Sequence, residues 1–445
     1  MATTYLSRTF GTATNRKKFT LSMWVKLSGR GSGGNNALLV SGASGQNEGT
    51  IAFSNDNLYW TEYNSGSASI IGRLGTSRLF RDYNAWYHLV FVWDSANATA
   101  GDRMKLYVNG VEETNFVEDI NPSPNYDAQL NNNIEHNIGR QTWNSSGLFN
   151  GSMSHIHFCD GQAYQASDFG QADANGVWTI KTSPSVTYGT NGFFILKNGN
   201  SVTDQSGNSN NWTVGGGTLT NTEDNPSNVF ATMNPLDNYY AGSTFSNGNT
   251  KVITANSPYT YNTSTIKMGS GKYYIEAKWT GLNAGNSGVG IINTSSTATS
   301  NEMTTKANGS VIADNGAVYE NGSYTGTNLG AFSTNDIVMI AFDGVNNAIY
   351  YGRNGTWLNS GDPTSGASKT GAFTPSSTTG LDYFIGFSDQ NSGAGYSIEF
   401  NFGNGYFGTT AVASAGTNAS GIGIFEYDVP TGYYSLCTKN INTYG

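Results

Sequence analysis

Cysteine is nearly missing from this chain: there are two in 445 residues, Cys159 and Cys437, one in each half. So sparse a pair excludes a disulfide framework, and each thiol reads as a small buried apolar side chain. Long apolar runs are absent too. No stretch approaches 18 consecutive apolar residues, and the segment from Met1 to Arg8 lacks the apolar core of an export signal. The chain therefore reads as neither membrane-spanning nor exported by a recognisable signal. Charge is scarce, at 12% of residues, and of the wrong sign for nucleic acid. The 22 Lys and Arg stand against 31 Asp and Glu, net −9, with no basic cluster beyond Arg16-Lys17-Lys18. Phosphate neutralisation needs a basic face, so no nucleic-acid partner is expected. Four histidines leave little material for acid–base catalysis.

What is present is turn and strand chemistry. The 57 Gly and the 13% of aromatic residues accompany abundant Ser, Thr, Asn and Tyr. That mixture fits extracellular-style β-proteins, with short strands, many turns and aromatics on pleated faces. An outdoor composition without an export signal is what a virion protein released by lysis would show. One strand–loop–strand sentence also appears twice. His88-Leu-Val-Phe-Val-Trp-Asp94 and Lys105-Leu-Tyr-Val-Asn-Gly110 are echoed by Asp336 to Asp343 and Ala348 to Gly355. Each copy ends in Asn-Gly, which suits a type I′ turn because both central residues need positive φ. Two such blocks in different surroundings imply two sandwiches rather than one large fold.

Along the chain, Phe19 to Leu27 alternates with period two, placing Phe19, Leu21, Met23, Val25 and Leu27 on one face of a half-buried strand. Trp86 to Trp93 is apolar on both faces, as in a central strand. Residues 121–133, with Pro122, Pro124 and an Asn run, read as a long surface loop, and Ala166-Ser-Asp-Phe169 as a short helical turn. No amphipathic helix exceeds two turns. The expected organisation is a sandwich over residues 1–217, a Gly/Thr/Asn-rich linker over 218–237, and a second sandwich over 238–445.

More specific motifs lie between and within these blocks. Phe19 to Val25, Trp86 to Trp93 and Lys105 to Gly110 resemble a concanavalin A-like, laminin-G-type jelly roll. Gly271 to Trp279, Val289 to Ile292, Asp336 to Asp343, Ile349 to Trp357 and Phe384 to Ser388 resemble a SPRY domain. The intervening segments His157 to Gly170, Tyr188 to Phe194, Asp204 to Val214 and Asn228 to Asp237, with Pro430 to Ile441 at the end, are similar to a family of tailed-phage proteins, many marine, that join these two modules. The resemblance covers nearly the whole chain. It implies an all-β protein of two tandem antiparallel β-sandwiches, acting as a tail-fibre or other virion-surface protein.

Catalytic motifs are few. Sandwich glucanases carry Glu-x-Asp-x-Glu on the active strand, and a retaining carboxylate pair sits about 5–5.5 Å apart. No such triplet occurs; Glu276 and Glu399 are lone acids, and Glu112-Glu113 and Glu118-Asp119 lie near a turn and a loop. His155, His157 and Cys159 share one face of a regular strand, yet neighbours two apart are about 6.6 Å apart along it, too far for easy joint coordination of zinc. Packed histidines and a core thiol are the plainer reading.

Oxygen ligands suit calcium, which the laminin-G resemblance implies at the sandwich rim. Asp94 and Asp102 flank a loop, and Asp204 opens the oxygen-rich turn to Asn208; Asp and Asn in turns equally cap their own backbone. Glycan binding needs exposed aromatic faces beside amides and hydroxyls. Trp60, Tyr63 and Trp143 are candidates in the first module, and Tyr319, Tyr324 and Trp357 in the second, where SPRY domains use loops at one end. Any of these rings could instead be core.

The leading expectation is a non-enzymatic phage tail fibre or receptor-binding protein, attached to other virion proteins and binding a host-surface glycan or receptor. On fibre analogy it is a homo-oligomer, with a trimer as the first guess. A capsid decoration or head-fibre protein is the alternative, and a glycan-degrading enzyme the third.

Overall fold

The computed structural model describes residues 3–42, 47–64, 66, 69–239, 242–255, 259–282, 287–293, 302–375, 382–390 and 395–445. The chain divides into two compact units, Met1–Asn221 and Thr222–Gly445. Strand Met233–Tyr239, which begins within the 218–237 segment read as a linker and runs past its end, is an edge strand of the second unit.

The first unit is a β-sandwich. Its eight-stranded sheet runs in the order Phe116–Ile120, Ser69–Thr76, Asn57–Asn64, Glu48–Ser54, Asn35–Gly42, Glu135–Ile138, Tyr5–Thr9, Thr213–Gly215. The six-stranded sheet runs Phe193–Ile195, Gly151–Asp160, Lys18–Leu27, Trp86–Asp94, Met104–Val108, Val111–Glu112. Every pairing is antiparallel. The predicted period-two face of Phe19 to Leu27 points into the core, where it meets Leu89, Phe91 and Trp93 from the neighbouring strand and Ile51, Phe53, Leu58, Trp60 and Leu74 from the facing sheet. Burying this many large side chains is what holds two short-stranded sheets together, at about 1.5–3 kcal/mol for each fully buried one.

The second unit repeats the plan with two seven-stranded antiparallel sheets. One carries Lys272–Gly281 at its centre, beside Ile337–Asp343; the other carries Ser287–Asn293 beside Tyr383–Asp389. Ile275, Ala277, Trp279, Val338, Ile340 and Phe342 pack between the sheets against Val289, Ile291, Ile385 and Phe387.

The doubled hairpin is real, and its two copies share an identical lock. Asn109 and Gly110 have φ of 49° and 83°, Asn354 and Gly355 of 48° and 85°, as a type I′ turn demands. The Asn109 side chain accepts from His88 N at 2.8 Å, while Asn109 N donates to His88 O at 2.8 Å. Asn354 does the same with Ile337, at 2.8 and 3.0 Å. The asparagine thus sets the turn and clamps the start of the adjoining strand.

Two local readings are corrected. Residues 121–133 are not all surface loop: Ala128, Leu130 and Asn131 are fully buried. The Glu62 carboxylate draws them in by accepting backbone N–H bonds from Gln129 and Leu130 at 2.7 and 3.3 Å. The strand Gly151–Asp160 is not regular, because its pairing slips between Ser154 and His157 and His155 takes φ of 47°. This bulge makes His155 the extra residue and takes it out of line with His157 and Cys159. The helical turn Ala166–Phe169 forms as expected, with Asp168 Oδ2 accepting from Gln165 N at 2.8 Å and Asp168 N donating to Gln165 O at 3.1 Å.

Candidate functional site

The outer face of the eight-stranded sheet holds a groove of ≈ 460 Å³. Its origin is the alternation of Glu48–Ser54. Gly49, Ile51 and Phe53 are buried, whereas Thr50, Ala52 and Ser54 point outward. Cross-strand register then sets rows of outward side chains. One row reads Ala37, Ala52, Tyr59, Gly75, Glu118; the next contains Thr50, Thr61 and Arg73.

The first row explains the trough. Ala37 and Ala52 are short, and Gly75 has no side chain. A Cβ at position 75 would lie 2.6 Å from Tyr59 Cε1, so only glycine lets the ring lie over that strand. The space above Ala52 stays open, while Ala37 is buried at the foot of the wall. The Gln141–Gly147 segment closes the far side, with Ala37 N donating to Gly147 O at 2.8 Å, and Asn35, Asn55 and Asn57 bring amides to one end.

A second bulge completes the wall. Strand Phe116–Ile120 slips register between Phe116 and Glu118. Phe116 faces the core opposite Thr76, and the extra residue Val117 allows Glu118 to face outward opposite Gly75. Glu118 Oε2 accepts from Arg73 Nη1 at 2.9 Å, and Arg73 Nε donates to Thr61 Oγ1 at 3.0 Å. The groove therefore presents one aromatic ring, several amides and hydroxyls, and one neutralised ion pair. Glu118 is the one carboxylate among its described lining residues.

The sequence-derived ligand candidates fall elsewhere. Trp60 is fully buried, edge-on to Phe19 and Phe91, so it has no face to offer; the strand's period-two alternation gives the outer position to Tyr59. Tyr63 is half-buried on the same strand, opposite Glu48 and Ile70, and does not line the groove. Trp143 is half-buried in the wall segment, where Gln141 and Gly147 do the lining. Tyr319 and Tyr324 face each other across an edge hairpin of the second unit, rings 5.7 Å apart, with Tyr324 half exposed. Trp357 packs beside Tyr274 at 6.3 Å, against a cluster that includes Met339 and Tyr350.

The three aspartates read as metal ligands are not gathered together. Asp94 pairs with Lys18 at 3.1 Å, and Asp102 with Lys105 at 2.9 Å. Asp204 accepts from Phe194 N, Ser206 N, Ser206 Oγ and Asn210 N at 2.7–2.8 Å, tying its turn to a strand. Among the described residues no group of three or more His, Cys, Asp and Glu side chains is placed to hold a metal ion.

The lone acids have structural partners. Glu399 pairs with Lys251 at 2.9 Å. Glu276 is buried and accepts from Glu426 N, Tyr427 N, Tyr274 Oη and Asn401 Nδ2 at 2.8–3.2 Å, anchoring the C-terminal segment; burial pushes its pKa up to about 7. His157 stacks on Phe194 at 3.8 Å and shares a hydrogen bond with Tyr188 Oη.

Comparison with known proteins bears on the first unit directly. Residues 2–167 match the Laminin_G_3 family model, the concanavalin A-like lectin/glucanases superfamily. Over those residues the first sandwich is similar to the concanavalin A-like domains of that superfamily. No curated protein matches the chain. Among solved structures it is similar to the SPRY domain of human HERC1, at 15% identity and TM-score 0.31 over 38% of this chain and 96% of that one. It is similar also to another human SPRY domain, at 15% identity and TM-score 0.27 over 37% and 94%. The native heptameric SAP-like pentraxin of Limulus polyphemus is similar at 17% identity and TM-score 0.30, over 49% and 90%.

Proposed function

We propose that this chain is a non-enzymatic virion-surface protein of a tailed phage, a tail fibre or receptor-binding protein, that attaches to a host-surface glycan through the groove of its first sandwich. The observation that carries the binding role is the outer-face trough itself, with Tyr59 set among amides, hydroxyls and the Arg73–Glu118 pair. Sugars offer an apolar C–H face and a ring of hydroxyls, and such a lining answers both. The virion placement rests on the phage-type motifs that surround the sandwich strands. Glycoside hydrolysis uses two carboxylates flanking the scissile bond; the single groove carboxylate, already held by an arginine, favours binding over cleavage. Contacts in an open trough are weak singly and gain strength from copy number.

Glycan-array binding by the purified chain tests this, with Tyr59→Ala as control. Array signal lost in Tyr59→Ala is the expected result. Reducing sugar released from a bound polysaccharide would overturn the non-enzymatic reading. Density for the chain confined to the particle interior in a virion reconstruction would overturn the surface role.

A further inference from the structure

The groove's charge is balanced within itself, and that bears on which glycans it can take. Arg73 and Glu118 are the charged residues among its described lining, and they pair at 2.9 Å with side chains only 28% and 40% exposed. Of their polar atoms, Arg73 Nη2 and Glu118 Oε1 have no protein partner among the described residues. The pair thus keeps unused N–H donors on Arg73 and an unused acceptor oxygen on Glu118. A hydroxyl both donates and accepts, so two adjacent hydroxyls can satisfy both atoms at once. Tyr59 stands in the same row as Glu118, on the far side of Gly75, its ring seated over that glycine and its hydroxyl unpartnered among the described residues.

An anionic sugar would meet Glu118 without a spare cation in the lining, and it would approach a chain of net charge −9. Resting on the glycan-binding reading of this groove, we propose that it selects uncharged oligosaccharides, with the C–H face of one ring on Tyr59 and a pair of adjacent hydroxyls bridging Arg73 and Glu118. The trough's ≈ 460 Å³ lies in the range of small-ligand sites, about 300–1,000 Å³, and so suits a short stretch of sugar rings.

The test is calorimetric titration of the full chain with neutral hexose di- to tetrasaccharides and with the same backbones carrying uronate or sulfate groups, at low and high salt. Neutral ligands are expected to bind best, with affinity changing less than about twofold between low and high salt because no net charge is neutralised. Tyr59→Ala should weaken binding at least about tenfold while keeping the wild-type melting temperature within a few degrees. Glu118→Gln leaves Arg73 unpaired, and should shift preference about tenfold toward the acidic series. If acidic ligands bind tightest to the wild type, with steep salt dependence and Tyr59 still required, the charge selectivity is wrong and the groove stands. If neither series binds, or Tyr59→Ala binds as well as wild type, the groove reading falls, and this proposal with it.

Discussion

Lowering the pH from 7 to 5 should destabilise the first sandwich and stabilise the second. All four histidines lie in the first unit. Burial holds His88 down at about 3 and His136 and His155 at about 4, and pushes His157 the same way. Each stays neutral in the fold but takes up a proton on unfolding below about 6.5, so its contribution is present above that pH and is lost as pH falls. At about 1.4 kcal/mol per pH unit, each of the three costs about 2 kcal/mol by pH 5, about 6 together, with His157 adding to the loss. Glu62 opposes them: burial raises it to about 8, so its penalty shrinks as pH falls and returns about 2–3 kcal/mol. The first unit thus loses at least about 3 kcal/mol, or roughly 10 °C in melting temperature. The second unit has no histidine. Its Glu276, raised to about 7 by burial, gains about 2 kcal/mol over the same interval, roughly 5 °C, and Glu320, also raised to about 7, acts in the same direction. Calorimetric melts of the whole chain at pH 5, 6 and 7, with hydrogen exchange assigning each transition to its unit, provide the assay. Transitions that move together, or a first unit unchanged at pH 5, would refute the reasoning.

Trp60→Ala should destabilise the first unit by about 3–5 kcal/mol, because the ring fills core rather than groove, and urea unfolding measures it. Gly75→Val should lose glycan affinity at small cost in stability, since a side chain there displaces Tyr59; a melt beside a titration separates the two. Asn109→Ala and Asn354→Ala should each cost about 1–2 kcal/mol, matching one another because the two clamps match, as equilibrium denaturation would show. Glu276→Ala strands four donors and should expose the 422–434 segment to limited proteolysis; an unchanged digest would contradict its anchoring role.

The scaffold was legible because it is written locally. Period two from Phe19 to Leu27 and the two Asn-Gly turns each use a few neighbouring residues, and both emerge as read. The groove was not, because it is written across strands. Leu58-Tyr59-Trp60 offers aromatics to either face, and only its register against Ile51 and Phe53 sends Trp60 inward and Tyr59 out. A slip of one residue inverts that assignment. The bulges at Val117 and His155 are such slips, set by partner strands distant in sequence. For this reason the sequence places Glu118 only near a loop, and sets the three potential ligands from His155 to Cys159 in one row. A signal did exist for Tyr59: Thr50, Ala52 and Ser54 alternate cleanly with apolar residues and mark an outer face that a paired strand must share.

Which outer face is left for a ligand follows from the same alternation. The six-stranded sheet of the first unit turns Val90, Val92 and Tyr107 outward, and the segment with Tyr164, Phe169, Trp178 and Tyr188 folds back to cover them. In the second unit, Tyr274, Met339 and Tyr350 are covered by Phe425, Val429 and Tyr433 from the C-terminal segment. Both covers are drawn by apolar surface that water would otherwise meet. The eight-stranded sheet instead turns Thr50, Tyr59, Thr61, Arg73 and Glu118 outward, and an apolar cover would strand those polar groups without partners. The groove stays open because its own chain gains nothing by closing it, whereas a ligand rich in hydroxyls replaces the water it displaces bond for bond.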